Sequence, residues 1–261
     1  MLVTGLNVVD IRANDTSDVW CPRGGKYREQ PSLSFATSYI EEAQFDSVVA
    51  KPNRKPVVNL GFYSVTFNNQ PQIDREALLA FKEFRAEARR KGFQYFLEVF
   101  APNVDAGIRP EEVPFFVNDH ICRMLAGVSL DDRPLFLKVP YFGPRALEEL
   151  VTCDPTVIVG VKGGSSGTTL DAFELLADAQ KYGARVALFG RKIKGAEDPL
   201  AFSHSCGGLW MAKSNRPKPS SVSCGVEAPE NFSAPFARKR FNIRQHRNRL
   251  CSQPLKPQHE N

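Results

Sequence analysis

The sequence has no apolar run approaching the roughly 18 residues needed to cross a bilayer. Its first residues, Met1-Leu2-Val3-Thr4, lack the basic-then-apolar order of a secretory leader. Its six cysteines form no Cys-x-x-Cys pair, and with only four histidines no metal-spaced cluster emerges. The cysteines therefore read as reduced thiols of a cytosolic, cytoplasmic protein, not as a disulfide or zinc framework. No Gly-Lys-Ser/Thr follows the one glycine-rich loop, which excludes a Walker A nucleotide site. No cofactor, metal or membrane contact is implied.

What is present is a chain of 261 residues, 42% hydrophobic and 24% charged, enough for one sizeable core. The net charge of +5 is unevenly placed: residues 203–261 hold ten Lys/Arg against three Asp/Glu, so the rest is slightly acidic. That balance gives the body no general affinity for nucleic acid. The Arg238-Lys239-Arg240 cluster leaves a nucleic-acid arm as a minor reading, and nucleic-acid binding is disfavoured overall.

Three regions follow. Residues 1–54 are poorly patterned, with a possible strand over Val3 to Ile11 and a short helix over Ser38 to Ala43. Residues 55–202 are strongly patterned. Strands are expected at Pro56 to Tyr63, Phe93 to Phe100, Arg133 to Tyr141, Thr156 to Val161 and Val186 to Phe189. Helices are expected from an Asp74 N-cap to Lys91, from Glu111 to Ala126, from Pro144 to Cys153 and from Thr168 to Tyr182. Gly92 and Gly183 stop two of them. Continuous apolar strands alternating with helices indicate an α/β fold with a covered parallel sheet, closed barrel or open doubly wound. Residues 203–261 are rich in Ser, Pro, Asn and Arg and read as a basic, weakly ordered tail. A neighbouring reading frame through Trp210-Met211-Ala212 yields a better-capped helix, so the tail after about Phe202 is read as a possible frameshift product.

Polar groups sit at three strand ends. Lys138, amid Leu135, Phe136, Leu137 and Val139, must lose hydration, which favours the neutral amine that attacks carbonyls. Its ordinary alternative is a lysine snorkelling past the strand end to water. Glu98 lies one β/α unit earlier, able to exchange a proton with it or merely to pair with it. The loop Gly163-Gly164-Ser165-Ser166-Gly167 precedes a helix N-terminus, and Gly190-Arg191 ends the next strand; together they suit a phosphate. Lys162 either adds a cation there or faces solvent. His120 reads as a packed or surface histidine, not a ligand; Tyr63, Tyr95 and Tyr141 could donate protons, but buried tyrosines mostly satisfy a core hydrogen bond.

Taken together, Phe96-Leu97-Glu98, Leu135 to Val139, Val161 to Gly164 and Ala187 to Ile193 resemble the class I aldolases over about residues 55–202. The relevant group contains the tagatose-bisphosphate, deoxyribose-phosphate and archaeal-type fructose-bisphosphate aldolases. The resemblance implies an incomplete (β/α)8 TIM barrel, of which about five C-terminal units are recognisable. It implies a carbon–carbon lyase with Lys138 as Schiff-base nucleophile, Glu98 as proton shuttle, and Gly163, Gly164, Ser165, Gly190 and Arg191 holding a substrate phosphate. A small phosphorylated substrate and a possible homo-oligomer follow as partners. Two departures stand out. The tagatose-type lysine on the fourth strand has no counterpart, since Val57 to Tyr63 offers only Asn59 and Tyr63. If that strand is the fourth, 55 residues must supply three units of about 30 residues each. A catalytically inactive or truncated barrel retaining at most phosphate binding is the alternative.

Overall fold

Eight strand segments and seven helices are placed in the computed structural model, which describes residues 11–20, 22–47, 55–163 and 167–212. Strands β1 (Ile11–Arg12), β4 (Leu60–Thr66), β5 (Gln94–Phe100), β6 (Leu137–Pro140), β7 (Val159–Gly163) and β8 (Val186–Phe189) form one sheet. Their order is β1-β4-β5-β6-β7-β8 and every pairing is parallel. Two further segments, β2 (Asp15–Thr16) and β3 (Ser34–Phe35), pair antiparallel beside it. Helices α2 (Pro71–Arg90), α3 (Val113–Ala126), α4 (Pro144–Cys153) and α5 (Thr169–Lys181) follow β4 to β7 in turn. The six-stranded sheet is curled into part of a barrel, so the fold is α/β of the (β/α)8 type, incomplete among the described residues.

Alternation along each strand divides the core in two. Tyr63, Val65, Leu97, Val99, Leu137, Val139, Val159, Val161 and Ala187 point at the helices. They pack against Phe81 and Phe84 of α2, Ile121 of α3, Leu150 of α4 and Leu176 of α5. The opposite face carries a small separate cluster of Phe62, Phe96 and Phe136, with ring centroids 5.4 and 4.5 Å apart. This aromatic floor closes the inner face of the curl. Above it, toward the carboxyl ends of the strands, the inward positions turn polar.

The boundaries moved where local signals competed. The β4 strand begins at Leu60, not Pro56, and Asp74 does not cap α2 as N-cap. From within the first turn its carboxylate accepts the amides of Asn68 at 3.0 Å and Gln70 at 3.1 Å, tying down the loop ahead of the helix. The apolar face of α2 buries Ala77, Phe81, Phe84 and Ala88, while Leu78 is exposed. Gly92 and Gly183 stop their helices as expected, both with positive φ. The short helix expected at Ser38 is α1 (Ile40–Phe45). Of the early strand only Ile11 lies within the described residues, where it opens β1.

Helix α7 (Pro199–Ala212) crosses the expected boundary at Phe202, burying Phe202 and Cys206 against the sheet-side core. The remainder of the basic tail lies outside the described residues. The cysteine reading requires correction. Cys122 of α3 and Cys153 of α4 are joined as a disulfide, with Cα atoms 6.7 Å apart. The two helices pack side by side on consecutive units, an adjacency that spacing along the chain does not display.

Candidate active site

Residues Glu98 and Lys138 occupy directly opposed positions on β5 and β6. Lys138 Nζ donates to Glu98 Oε1 at 2.9 Å, with the Glu98 side chain only 5% exposed and that of Lys138 21%. Lys138 is thus no isolated amine among apolar side chains, as the sequence suggested; it has a buried counter-ion. Glu98 Oε2 accepts from Ser64 Oγ of β4 at 3.1 Å and lies 3.8 Å from the Arg12 guanidinium of β1. Burial pushes the Glu98 carboxyl up, but Lys138 foremost, then Arg12 and Lys162, outweigh it and hold the group below the usual carboxylate range.

Sequence reasoning left Lys162 undecided, yet it belongs to the same cluster. Period-two alternation on β7 puts Gly160 opposite Lys138 and Lys162 opposite Pro140, on the inward face. Its Nζ lies 4.0 Å from the Phe100 ring centroid. Burial pushes its pKa down to about 8; Glu98 opposes the shift, while Lys138 and Arg191 add to it. Alternation counted from Lys138 and Gly160 was the signal that would have found it. Arg12 had no comparable signal.

The expected phosphate positions are only partly assembled. Gly164 and Ser165 lie outside the described residues. Gly163 ends β7, and its missing side chain has a packing reason: an added Cβ would overlap the Phe189 ring. The N-terminus of α5 is already capped by its own residues. Thr168 Oγ1 accepts from the Asp171 amide at 3.2 Å, and the Asp171 carboxylate takes the Thr168 amide in return. Gly190 has open space around it, and Arg191 stands exposed beside it, opening helix α6 (Arg191–Lys194) and near enough to act on Lys162. Lys192 donates to the Gly167 carbonyl, clamping the β8–α6 turn onto the loop after β7. Lys162, Gly163, Gly167, Arg191 and Lys192 therefore meet at one mouth.

Residues 22–35 lie against the same end as a strap fastened by asparagines. Asn103, after β5, accepts from the Ser32 amide at 3.1 Å and donates to the Gln30 carbonyl at 2.7 Å. Asn68, after β4, exchanges two hydrogen bonds with Asn103 at 2.9 and 3.0 Å. Asn103→Ala should destabilise the protein by about 1–3 kcal/mol, because several strap and loop groups lose their partner together. Hydrogen exchange of the residue 28–35 amides, alongside thermal unfolding, checks this; unchanged protection of the Ser32 amide would refute it.

The remaining polar residues take the packing roles anticipated. His120 lies between Phe67 and Phe116, with Nδ1 2.9 Å from the Phe116 carbonyl. Tyr95 donates to the Asp132 carbonyl at 2.6 Å, Tyr141 to Asp178, and Tyr63 lies 3.1 Å from Ser34 Oγ. Among the described residues no group of three or more His, Cys, Asp or Glu converges as a metal site, and no helix is long and apolar enough to cross a membrane.

No protein-family model matches the sequence, and no curated protein matches it significantly. Solved structures do. An archaeal fructose 1,6-bisphosphate aldolase superposes with a TM-score of 0.56 at 17% identity, over 78% of this chain and 71% of that one. A Corynebacterium glutamicum protein matches with a TM-score of 0.56 at 18% identity, over 78% and 64%. The fructose-bisphosphate aldolase of Slackia heliotrinireducens matches with a TM-score of 0.54 at 16% identity, over 80% and 67%. The chain thus spans about two thirds of the length of these proteins. In fold the described residues form part of a barrel of the kind seen in fructose-bisphosphate aldolases.

Proposed function

We propose that this chain is a class I, Schiff-base aldolase acting on a phosphorylated sugar or keto compound. The observation that carries the reading is the Lys138–Glu98 pair on neighbouring strands of a barrel-type sheet, beside a mouth supplied with Lys162 and Arg191. Barrel enzymes place their chemistry at the carboxyl ends of strands, and the last strand loops commonly receive phosphate.

In this reading Lys138 passes a proton to Glu98 Oε1, and the freed amine attacks the substrate carbonyl. The new N–C bond sends the carbonyl π pair to oxygen, which takes a proton from the attacking nitrogen and becomes a hydroxyl. That hydroxyl takes a proton from Glu98 and leaves as water while the nitrogen lone pair closes the iminium. Glu98 ends as it began, a carboxylate. The iminium then accepts the electron pair of the breaking C–C bond while the Glu98 carboxylate takes the hydroxyl proton of the departing carbon, which leaves as an aldehyde. The enamine regains that proton at carbon, and water hydrolyses the iminium to release the product and free Lys138. Lys162, Arg191 and the Gly190 turn would hold the phosphate beside Gly163; Gly164 and Ser165, expected to join them, lie outside the described residues. No cofactor or metal enters the scheme.

Borohydride reduction in the presence of dihydroxyacetone phosphate or fructose 1,6-bisphosphate, followed by peptide mapping, tests the assignment. Adduct on Lys138 is the expected result. A folded sample that yields none, or yields it at Lys162 alone, overturns it. One observation favours a second reading, a barrel that binds phosphate without catalysis: the described sheet has six strands where a closed barrel of this type has eight. Under that reading phosphate binds and no adduct forms.

Phosphate affinity should also fall as pH rises through about 8, where Lys162 loses its proton. The amine is cationic below that point and neutral above it, so the attraction disappears on the alkaline side. Titration calorimetry with dihydroxyacetone phosphate from pH 7 to 9 measures the effect. Lys162→Met should bind more weakly at pH 7 and show a flatter profile.

A further inference from the structure

We propose that Arg12 and Ser64 form a positioning pair that reserves one oxygen of Glu98 for Lys138 and keeps the other occupied throughout the reaction. The proposal rests on the Schiff-base reading and extends it to two residues on the first strands of the sheet. The two carboxylate oxygens are divided by geometry: Oε1 faces Lys138 Nζ at 2.9 Å, and Oε2 faces Ser64 Oγ at 3.1 Å with Arg12 3.8 Å away.

The hydroxyl of Ser64 has little freedom. It accepts from Arg12 Nη1 at 2.9 Å, which turns its own proton toward Glu98 Oε2. Its backbone is held on both sides by Asn14: the Ser64 amide donates to Asn14 Oδ1 at 2.6 Å, and Asn14 Nδ2 donates to the Ser64 carbonyl at 2.8 Å. Ser64 is fully buried. The guanidinium of Arg12 rests over the Phe62 ring, 4.7 Å from its centroid, and Asp15 lies 3.7 Å from Arg12 Nε. The chain of donors therefore runs one way, from Arg12 through Ser64 to Oε2.

A consequence follows for the proton. With an O–H and a guanidinium aimed at Oε2, a proton arriving at Glu98 has room only on Oε1, the atom facing the reacting nitrogen. The carboxyl group therefore cannot turn its proton away from Lys138 between accepting it and returning it. The charges that bear on Glu98 come from three other strands: Lys138 on β6, Arg12 on β1 and Lys162 on β7, with Asp15 against Arg12, and Asp18 and Arg191 acting on Lys162.

The experiment compares wild type, Arg12→Gln, Arg12→Lys and Ser64→Ala as full-length proteins. The first readout is a carboxyl 13C NMR titration of Glu98 without substrate. An opposite charge within about 4–6 Å lowers a carboxyl by about 1–3 pH units, so Arg12→Gln should raise the Glu98 midpoint by roughly one unit or more. Ser64→Ala should raise it less, and Arg12→Lys should restore most of the shift. The second readout is the pH dependence of borohydride trapping with dihydroxyacetone phosphate. Its acid limb should move in the same order, with the half-saturating probe concentration unchanged. An unmoved Glu98 midpoint in both folded variants, Arg12→Gln and Ser64→Ala, overturns the positioning pair. A moved midpoint with no Lys138 adduct even in wild type supports the hold on Oε2 and overturns the Schiff-base reading instead.

Discussion

Lys138→Met should lower fructose 1,6-bisphosphate cleavage by roughly three orders of magnitude or more, as loss of a covalent nucleophile does, and abolish borohydride-trapped adduct. Methionine is the informative replacement. Its unbranched stem keeps the contact over Phe62, whose ring centroid lies 5.2 Å from Lys138 Nζ, while removing the amine. The variant does not orphan Glu98, because Oε2 keeps Ser64 and Arg12. Unfolding should therefore shift modestly while chemistry disappears, and that split separates a nucleophile from a structural ion pair. Cleavage within tenfold of wild type by a folded Lys138→Met protein would end the assignment. Adduct moving to Lys162 would transfer the nucleophilic role to the second amine, which already lacks a carboxylate partner within 4 Å among the described residues.

The legibility of this site in the sequence followed the strength of local periodicity. Between residues 93 and 189 each strand and α-helix was recognisable, because apolar runs bounded by glycine and proline have few other solutions; α4 and β8 match residue for residue, whereas α6 and α7 were not anticipated. Once Glu98 and Lys138 fell on consecutive β/α units, a parallel sheet made their strands neighbours or near neighbours, and the two residues are in direct register on adjacent strands. Arg12 was invisible for the opposite reason. Its strand is two residues long, preserves no period, and owes its place to pairing with Gly61 and Phe62 some 50 residues later. The Asn14 and Asn103 fastenings are likewise long-range. So is the Cys122–Cys153 link, which depends on helix packing rather than on any cysteine spacing. Gly163 shows a subtler case. Glycine at 163 looked like room for an anion, whereas the fold uses it to admit Phe189.

Glu98→Ala should cost about 2–4 kcal/mol of stability, short of the 3–5 typical when a fully enclosed pair is broken, since Lys138 and Arg12 retain 21% and 24% side-chain exposure. The loss has two parts: a cavity where a buried side chain stood, and two cations left facing each other across it. Glu98→Gln separates them, keeping volume and the Ser64 hydrogen bond while removing the charge. It should retain part of the lost stability yet remain at least about a hundredfold slower in adduct formation, as removal of a proton-transfer group does. The pH dependence carries a definite sign. The folded carboxyl lies below its ordinary value, so its contribution is complete above the unfolded carboxyl range and is lost as pH falls through the folded midpoint. Denaturant melts of wild type should therefore weaken on acidification in that interval, and Glu98→Gln should flatten the slope. Equal acid slopes in the two proteins would mean that the Lys138 and Arg12 charges do not stabilise the Glu98 carboxylate, and with it the electrostatic account of the site would fall.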